Sequence, residues 1–322
     1  MKHFLKTAAV TVLAALLLSG GAGAARTEFL IPGGETIGLH LQADGVSVVE
    51  FAGDNPSAKN AGLKKGDRIC EINGREVGTT QEIADLVEQS QGRLLTVTVR
   101  RGGAEKTLRF APQKTKEGWR LGIYVRDGVS GIGTVTYYEP ETGAFGALGH
   151  GVMDGSELLQ MRSGEVFRAS VVSVTPGKAG DPGALQGAAA AGERCGSMEK
   201  NTERGVFGEI EPPVQKKAVA VARAGEVHTG AAQIYSCVKG QTVREYEITI
   251  LEIDLRDANG RNFLIEVTDP ALLAQTGGIV QGMSGSPILQ DGKLVGAVTH
   301  VLVNEPERGY GIFIENMLDA AA

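Results

Sequence analysis

The run Gly282-Met283-Ser284-Gly285-Ser286-Pro287 sets a serine between glycines, after the apolar Gly277-Gly278-Ile279-Val280 and ahead of two strand-like stretches, Ile288-Leu289 and Leu294 to Val298. A serine hydroxyl held in a tight turn becomes a nucleophile for acyl transfer once a base takes its proton. Glycines at 282 and 285 open backbone conformations closed to other residues and let a carbonyl approach closely. The amides of Gly282 and Ser284 then converge on the place where an oxyanion develops. The same six residues also read as a plain Gly/Ser turn between buried strands, so the decision rests on the rest of the chain.

A serine nucleophile needs a base, and residues 119–322 hold three histidines. His150 stands in Ala147-Leu148-Gly149-His150-Gly151, His228 in Gly225-Glu226-Val227-His228-Thr229-Gly230, and His300 ends the strand Leu294 to Thr299. The glycines around His150 favour it as the exposed one. His228 reads as a hairpin tip, and neither it nor His300 is expected to be needed for turnover. A carboxylate to orient the base is available from Asp154, Asp181, Asp254, Asp257 or Asp269, and spacing alone leaves these open. Asp257 falls in a probable hairpin turn, Asp257-Ala258-Asn259-Gly260. Cys70, Cys195 and Cys237 are too few and too scattered for a disulfide framework. At most one bridge is expected, with buried structural thiols as the default. No Cys-x-x-Cys occurs and the histidines are dispersed, so neither a metal site nor a cofactor is expected.

These residues must be positioned by elements of a two-domain chain of 322 residues, taking about 150 residues per domain. Forty-six glycines and 5% aromatics predict many turns and short strands. A formal net charge of −6 without any basic cluster argues against a nucleic-acid partner. Lys2 and Lys6, the apolar run Ala8 to Leu18 and the Ala22-x-Ala24 pattern have the layout of an export signal. Residues 1–25 are therefore expected to be a signal peptide or an N-terminal membrane anchor, with the remainder outside the cytoplasm.

Residues 35–112 begin with the strand-like Ile37-Gly38-Leu39-His40-Leu41, an Asp44-Gly45 hairpin turn and Val46 to Val49. The run Ala61-Gly62-Leu63-Lys64-Lys65-Gly66-Asp67-Arg68-Ile69 and Ile72-Asn73-Gly74 follow, then a capping box of Thr79 with Glu82 opening a helix, then two strands joined at Gly102-Gly103. This order resembles a bacterial PDZ domain. The resemblance implies a peptide groove in which the amides of Ile37, Gly38 and Leu39 take a terminal carboxylate while a strand edge pairs with the peptide. Beyond a polar linker, residues 119–322 alternate short β-rich runs with glycines and read as a sandwich or barrel. Gly177 to Gly192, with Ala188 to Ala191 in a row, reads as a surface loop or a short helix.

The block from Thr268-Asp269-Pro270 through Thr276-Gly277-Gly278-Ile279-Val280-Gln281-Gly282-Met283-Ser284-Gly285-Ser286-Pro287-Ile288 to Gly296-Ala297-Val298-Thr299-His300-Val301 and Gly309-Tyr310-Gly311 resembles the stage IV sporulation protein B serine peptidases. So do Ala147 to Gly151 and Asn201-Thr202-x-x-Gly205-Val206-Phe207-Gly208. The likeness covers essentially the whole chain and implies a mainly β protein, an α+β PDZ domain followed by a trypsin-like double β-barrel. It makes His150 the base, Asp269 the acid and Ser284 the nucleophile. Asp269 departs from the trypsin-like order by lying only fifteen residues before the serine, and Met283 replaces the aspartate that pairs with a freed N-terminus in digestive enzymes. The resemblance further implies an exported sporulation signalling protease, acting between the two membranes of the developing spore. Its targets would be itself and a regulator of a membrane-embedded protease, switching on late mother-cell gene expression, with PDZ-mediated self-association as a further expectation. Two rival readings are a PDZ quality-control protease and a scaffold with a dead peptidase fold.

Overall fold

The computed structural model describes residues 28–53, 56–211, 216–257 and 260–322. The expected export segment lies outside the described residues.

The described residues form two closed six-stranded barrels and one small sheet domain. The strands of the first half are β1 (Thr36–Phe51), β2 (Arg68–Ile72), β3 (Leu95–Arg101), β4 (Ala104–Phe110), β5 (Ile123–Tyr138), β6 (Ala144–Ala147), β7 (Met161–Thr175), β8 (Ala184–Thr202) and β9 (Gly205–Ile210). The first barrel runs β5-β6-β9-β8-β7-β1 and closes because β1 pairs with β7 on one edge and β5 on the other. Apolar residues at alternate positions of these strands fill it, among them Ile37, Leu39, Leu41, Val135, Phe145, Val166 and Val206. The second barrel uses β10 (Gly230–Ser236), β11 (Arg244–Ile253), β12 (Phe263–Val267), β13 (Pro287–Gln290), β14 (Lys293–Leu302) and β15 (Glu305–Phe313), in the order β10-β11-β12-β15-β14-β13. The mainly β, double-barrel class expected from the sequence is what the chain adopts.

The small domain is set into the first barrel rather than placed ahead of it. The second half of β1 pairs with β2 at Val46 and Ser47, and β2, β3 and β4 continue the sheet. The start of β5 pairs with the same half of β1, from Ser47 against Arg126 to Phe51 against Ile123. Two helices complete this PDZ domain, α1 (Pro56–Asn60) and α2 (Thr80–Gln89), the latter opened by the Thr79/Glu82 capping box that the spacing predicts. Ile83 and Val87 of α2 bury against Val46, Val48, Ile69, Leu95 and Val97.

The expected boundaries at 35–112 and 119–322 therefore shift. Residues 36–43 are a stave of the first barrel, and the PDZ fold runs from Val46 to Arg126. The cause is local. Asp44-Gly45 does not turn the chain back: Gly45, at φ +97°, forms an irregularity inside one continuous strand, and a Cβ there would stand 2.8 Å from the Ile69 carbonyl. The alanine-rich stretch is likewise a strand: β8 covers Ala184–Thr202 and pairs along β7 with several register shifts. Cys70, Cys195 and Cys237 are free thiols. Burial pushes the pKa of all three up, which favours the protonated thiol.

One carboxylate ties the PDZ domain to the barrel. Asp154 lies on the short hairpin formed by Met153–Asp154 and Glu157–Leu158, four residues beyond His150. It accepts hydrogen bonds from Ser47 Oγ at 2.7 Å, from Arg68 Nη2 at 3.2 Å and from Arg126. Its side chain is 12% exposed. Burial alone would raise its pKa, but the hydrogen bonds from Ser47 and Arg126 and the two guanidinium charges outweigh it, leaving the pKa below the usual 3.8. Asp154→Asn keeps the shape and removes the charge. It is expected to cost about 1–3 kcal/mol in denaturant unfolding at neutral pH, less than a fully buried pair because Arg126 is half exposed. A carboxylate with a lowered folded pKa stabilises above its unfolded pKa and loses this as pH falls through the folded one. The gap between wild type and variant should thus narrow below pH 3.8, whereas equal stability at pH 7 would show the cluster to be inconsequential.

Candidate active site

The Ser284 turn is held from both barrels. On its own side, Met283 is fully buried in the second barrel's core, Gly285 N donates to the Val298 carbonyl at 2.8 Å and Ser286 N to that of Met283 at 3.0 Å. From the first barrel, β5 reaches across: Thr134 Oγ1 donates to Gly282 O at 2.8 Å, Thr134 N to Ser284 O at 3.1 Å and Thr136 Oγ1 to Gly285 O at 2.8 Å. With the carbonyls tied inward, the N–H groups of Gly282 and Ser284 are left without hydrogen-bond partners among the described residues. That is the layout of an oxyanion hole. Glycine at 285 is obligatory here, since at φ +95° a Cβ would lie 2.1 Å from the Thr134 carbonyl.

His150 approaches from β6 through two consecutive left-handed residues, Leu148 at φ +70° and Gly149 at φ +69°. A buried leucine in that region is strained, and the strain is held by burial in the first barrel's core and by the bond from Leu148 N to Thr134 O at 3.2 Å. His150 Nδ1 lies 2.9 Å from the carbonyl of Gly151. A carbonyl can only accept, so Nδ1 carries the proton and Nε2 presents its lone pair, as a general base requires. Burial lowers the His150 pKa, opposed by the hydrogen bond to Gly151.

Ser284, His150, Gly282 and His300 line one cleft of about 710 Å³, whose other walls are largely apolar and include Leu39, Leu41, Val129, Ile132 and Val152. The Ser284 hydroxyl donates to the Thr299 carbonyl at 2.7 Å, so the proton transfer to His150 requires a rotation about the serine χ1. The His300 ring stands against that of His150, centroids 5.0 Å apart and planes tilted by 37°. The sequence placed His300 next to the serine strand but assigned it no part in the cleft; the run Thr299-His300, ending a strand just past the serine turn, was the available signal. His228 is elsewhere, its Nε2 2.8 Å from Asp291 on the exposed surface.

Two expectations do not hold. Asp269 is not brought to His150: its Oδ1 caps α3 (Pro270–Thr276), accepting from the amides of Ala271 and Leu272 at 2.9 Å each, and its Oδ2 accepts from Glu247 N. Asp-Pro at a helix start is an N-cap followed by Pro at N1, so local backbone chemistry claims this carboxylate. Nor do Ile37, Gly38 and Leu39 form a carboxylate-binding loop. Each pairs on both edges, with β5 at 131–133 and with β7 at 166–168, which leaves no edge for a peptide. Among the described residues no group of three or more His, Cys, Asp or Glu side chains is placed to hold a metal ion.

The sequence profile of the family SpoIVB peptidase S55 matches residues 117–318, and that of a PDZ domain matches residues 48–101. Among curated proteins, the putative zinc metalloprotease Atu1380 of Agrobacterium fabrum is 36% identical over 87 residues, 27% of this chain and 23% of that protein. The zinc metalloprotease RasP of Geobacillus kaustophilus is 31% identical over 137 residues, 39% of this chain and 31% of that protein. The chain thus spans under a third of the length of these relatives. Among solved structures, the PDZ domain of the SdrC-like protein of Listeria monocytogenes is 25% identical with a TM-score of 0.24, covering 26% of this chain and 90% of that one. The thermostable serine protease AL20 from an extremophilic microorganism is 11% identical with a TM-score of 0.35, covering 65% of this chain and 93% of that one.

A base must be neutral to work, and burial keeps His150 neutral below the usual histidine range. The acid limb of kcat/KM is accordingly expected at an apparent pKa below 6.5. A limb above 6.5 would exclude His150 as the group reported. His150→Ala should lower kcat/KM by at least about 10³-fold with the protein still folded by circular dichroism.

Proposed function

This chain belongs to the SpoIVB peptidase S55 family, and we propose from that premise that its serine peptidase activity runs on Ser284 as nucleophile and His150 as base. The convergence of these two side chains with the unpartnered Gly282 and Ser284 amides in one cleft is the observation that carries the reading. Ser284 Oγ attacks the scissile carbonyl as its proton passes to His150 Nε2, and the oxyanion is received by the two amides. His150 then protonates the leaving amine, and water repeats the sequence on the acyl-enzyme.

The PDZ domain offers a docking edge at the start of β5. Residues Ile123–Arg126 pair with β1 on one side, and no strand covers the other side among the described residues. Helix α2 flanks that open edge, with Thr80 N donating to Asp127 Oδ2 at 2.8 Å and half-buried Leu86, Ile123 and Val125 bordering the same core. An extended peptide adds there as a strand. In this reading the partner is a protein substrate carrying an extended tail, or a second copy of the enzyme. Family membership and the basic-apolar N-terminal segment support an exported sporulation role, in which the protease cleaves itself and a regulator of a membrane-embedded protease.

A serine-directed fluorophosphonate probe should label the wild type and not Ser284→Ala. Labelling that survives in the variant removes Ser284 as nucleophile. Leu86→Arg, which places a charge beside the open edge, should impair processing of a full-length partner by at least about tenfold more than hydrolysis of a short peptide. Equal loss on both substrates would reduce the domain to a structural support.

A further inference from the structure

In a serine peptidase the base needs a neighbour that fixes its ring and offsets the charge it acquires, a task usually given to a buried carboxylate. Among the described residues no carboxylate hydrogen-bonds to His150. Asp269 caps α3, Asp154 is held by Ser47, Arg68 and Arg126, and Asp181, Asp254 and Asp257 accept from backbone amides of Gly183, Arg256 and Arg261. Glu203 lines the cleft, yet among the described residues neither His150 nor His300 hydrogen-bonds to a carboxylate. What stands against His150 is the Gly151 carbonyl on Nδ1 and the His300 ring at 5.0 Å.

We propose that His300 is the positioning partner of His150, a neutral imidazole filling the place of the triad acid; this rests on the reading of Ser284 as nucleophile and His150 as base. The placement follows from β14. Thr299 gives its carbonyl to the Ser284 hydroxyl, and the next residue presents its ring to His150, so one strand end registers both halves of the nucleophile pair. Pairing of His300 with Tyr310 on β15 fixes that end, and the Arg261 guanidinium lies 5.2 Å from the Tyr310 ring.

The chemistry balances without a proton on His300. The Oγ–C bond forms as the Oγ proton moves to His150 Nε2. The C–N bond then breaks as that proton goes to the leaving nitrogen. Through both steps His300 holds the ring by packing against it, and keeps a neutral polar ring beside the transient imidazolium. A cation there would repel it instead. Although part of His300 faces solvent, desolvation of its ring against His150, then the charges of His150 and Arg261, lower its pKa to about 4 and favour the neutral ring.

The test compares His300→Gln, which keeps a neutral hydrogen-bonding group, with His300→Phe, which keeps a packed ring and removes the nitrogens. On a short peptide at neutral pH, kcat of His300→Phe should fall at least about tenfold below that of His300→Gln, with KM of both within about threefold of wild type. His300→Phe equal to or faster than His300→Gln, or both within about threefold of wild type in kcat, would overturn the proposal. If His300→Phe does not fold, His300→Leu replaces it and is read against His300→Gln in the same way. Ser284→Ala and His150→Ala run beside them: turnover persisting in either defeats the underlying assignment, whereas their silence with unaffected His300 variants defeats this inference alone.

Discussion

Everything in the cleft depends on hydrogen bonds that cross from one barrel to the other. Thr134 and Thr136 on β5 hold three carbonyls of the serine turn, those of Gly282, Ser284 and Gly285. Each such bond contributes only about 1 kcal/mol net, but leaving buried carbonyls unmet would cost more, and their joint effect is geometric. They turn the amides outward and bring the turn within reach of the His150 segment, which the same Thr134 carbonyl supports through Leu148 N. Neither barrel alone contains a site.

The strand that carries these threonines also passes through the PDZ domain. The first residues of β5 form the outer strand of the PDZ sheet, its middle lines the cleft at Val129 and Ile132, and its end closes the first barrel. β1 makes the same crossing in the opposite direction. With Asp154 bridging Ser47, Arg68 and Arg126 just beyond His150, the PDZ sheet and the loop that carries His150 are mechanically one object.

Much of this was legible in the residues. The flanking glycines announced the turns at Ser284 and His150, although the His150 ring is half-buried rather than exposed, and the PDZ turn sequence and capping box announced that domain. What failed did so where tertiary pairing overrode a local signal. Asp44-Gly45 carries hairpin chemistry but sits in a strand held by partners on both sides, so the apparent first PDZ strand belongs to a barrel. Alanines from 188 to 191 have no β-preference of their own, and are strand because the chain pairs along β7. Asp269 went the other way: the resemblance made it the triad acid, while the Asp269-Pro270 pair carries a local helix-capping signature that the structure follows. The neighbourhood of His150 and His300 joins residues 150 apart in sequence and has no local signature.

The double crossing of β1 and β5 also governs what proteolysis can do to the enzyme itself. A domain hung on one linker is shed by one cut. Here a single nick anywhere between Val46 and Arg126 leaves both new ends anchored, because residues 36–42 and 128–138 remain woven into the same closed barrel. Only two cuts, one in each connecting strand, would free the PDZ domain, and each lies in hydrogen-bonded β-structure that a protease must first unravel. The PDZ domain therefore stays in register with the barrel that holds His150 after any single cut between them.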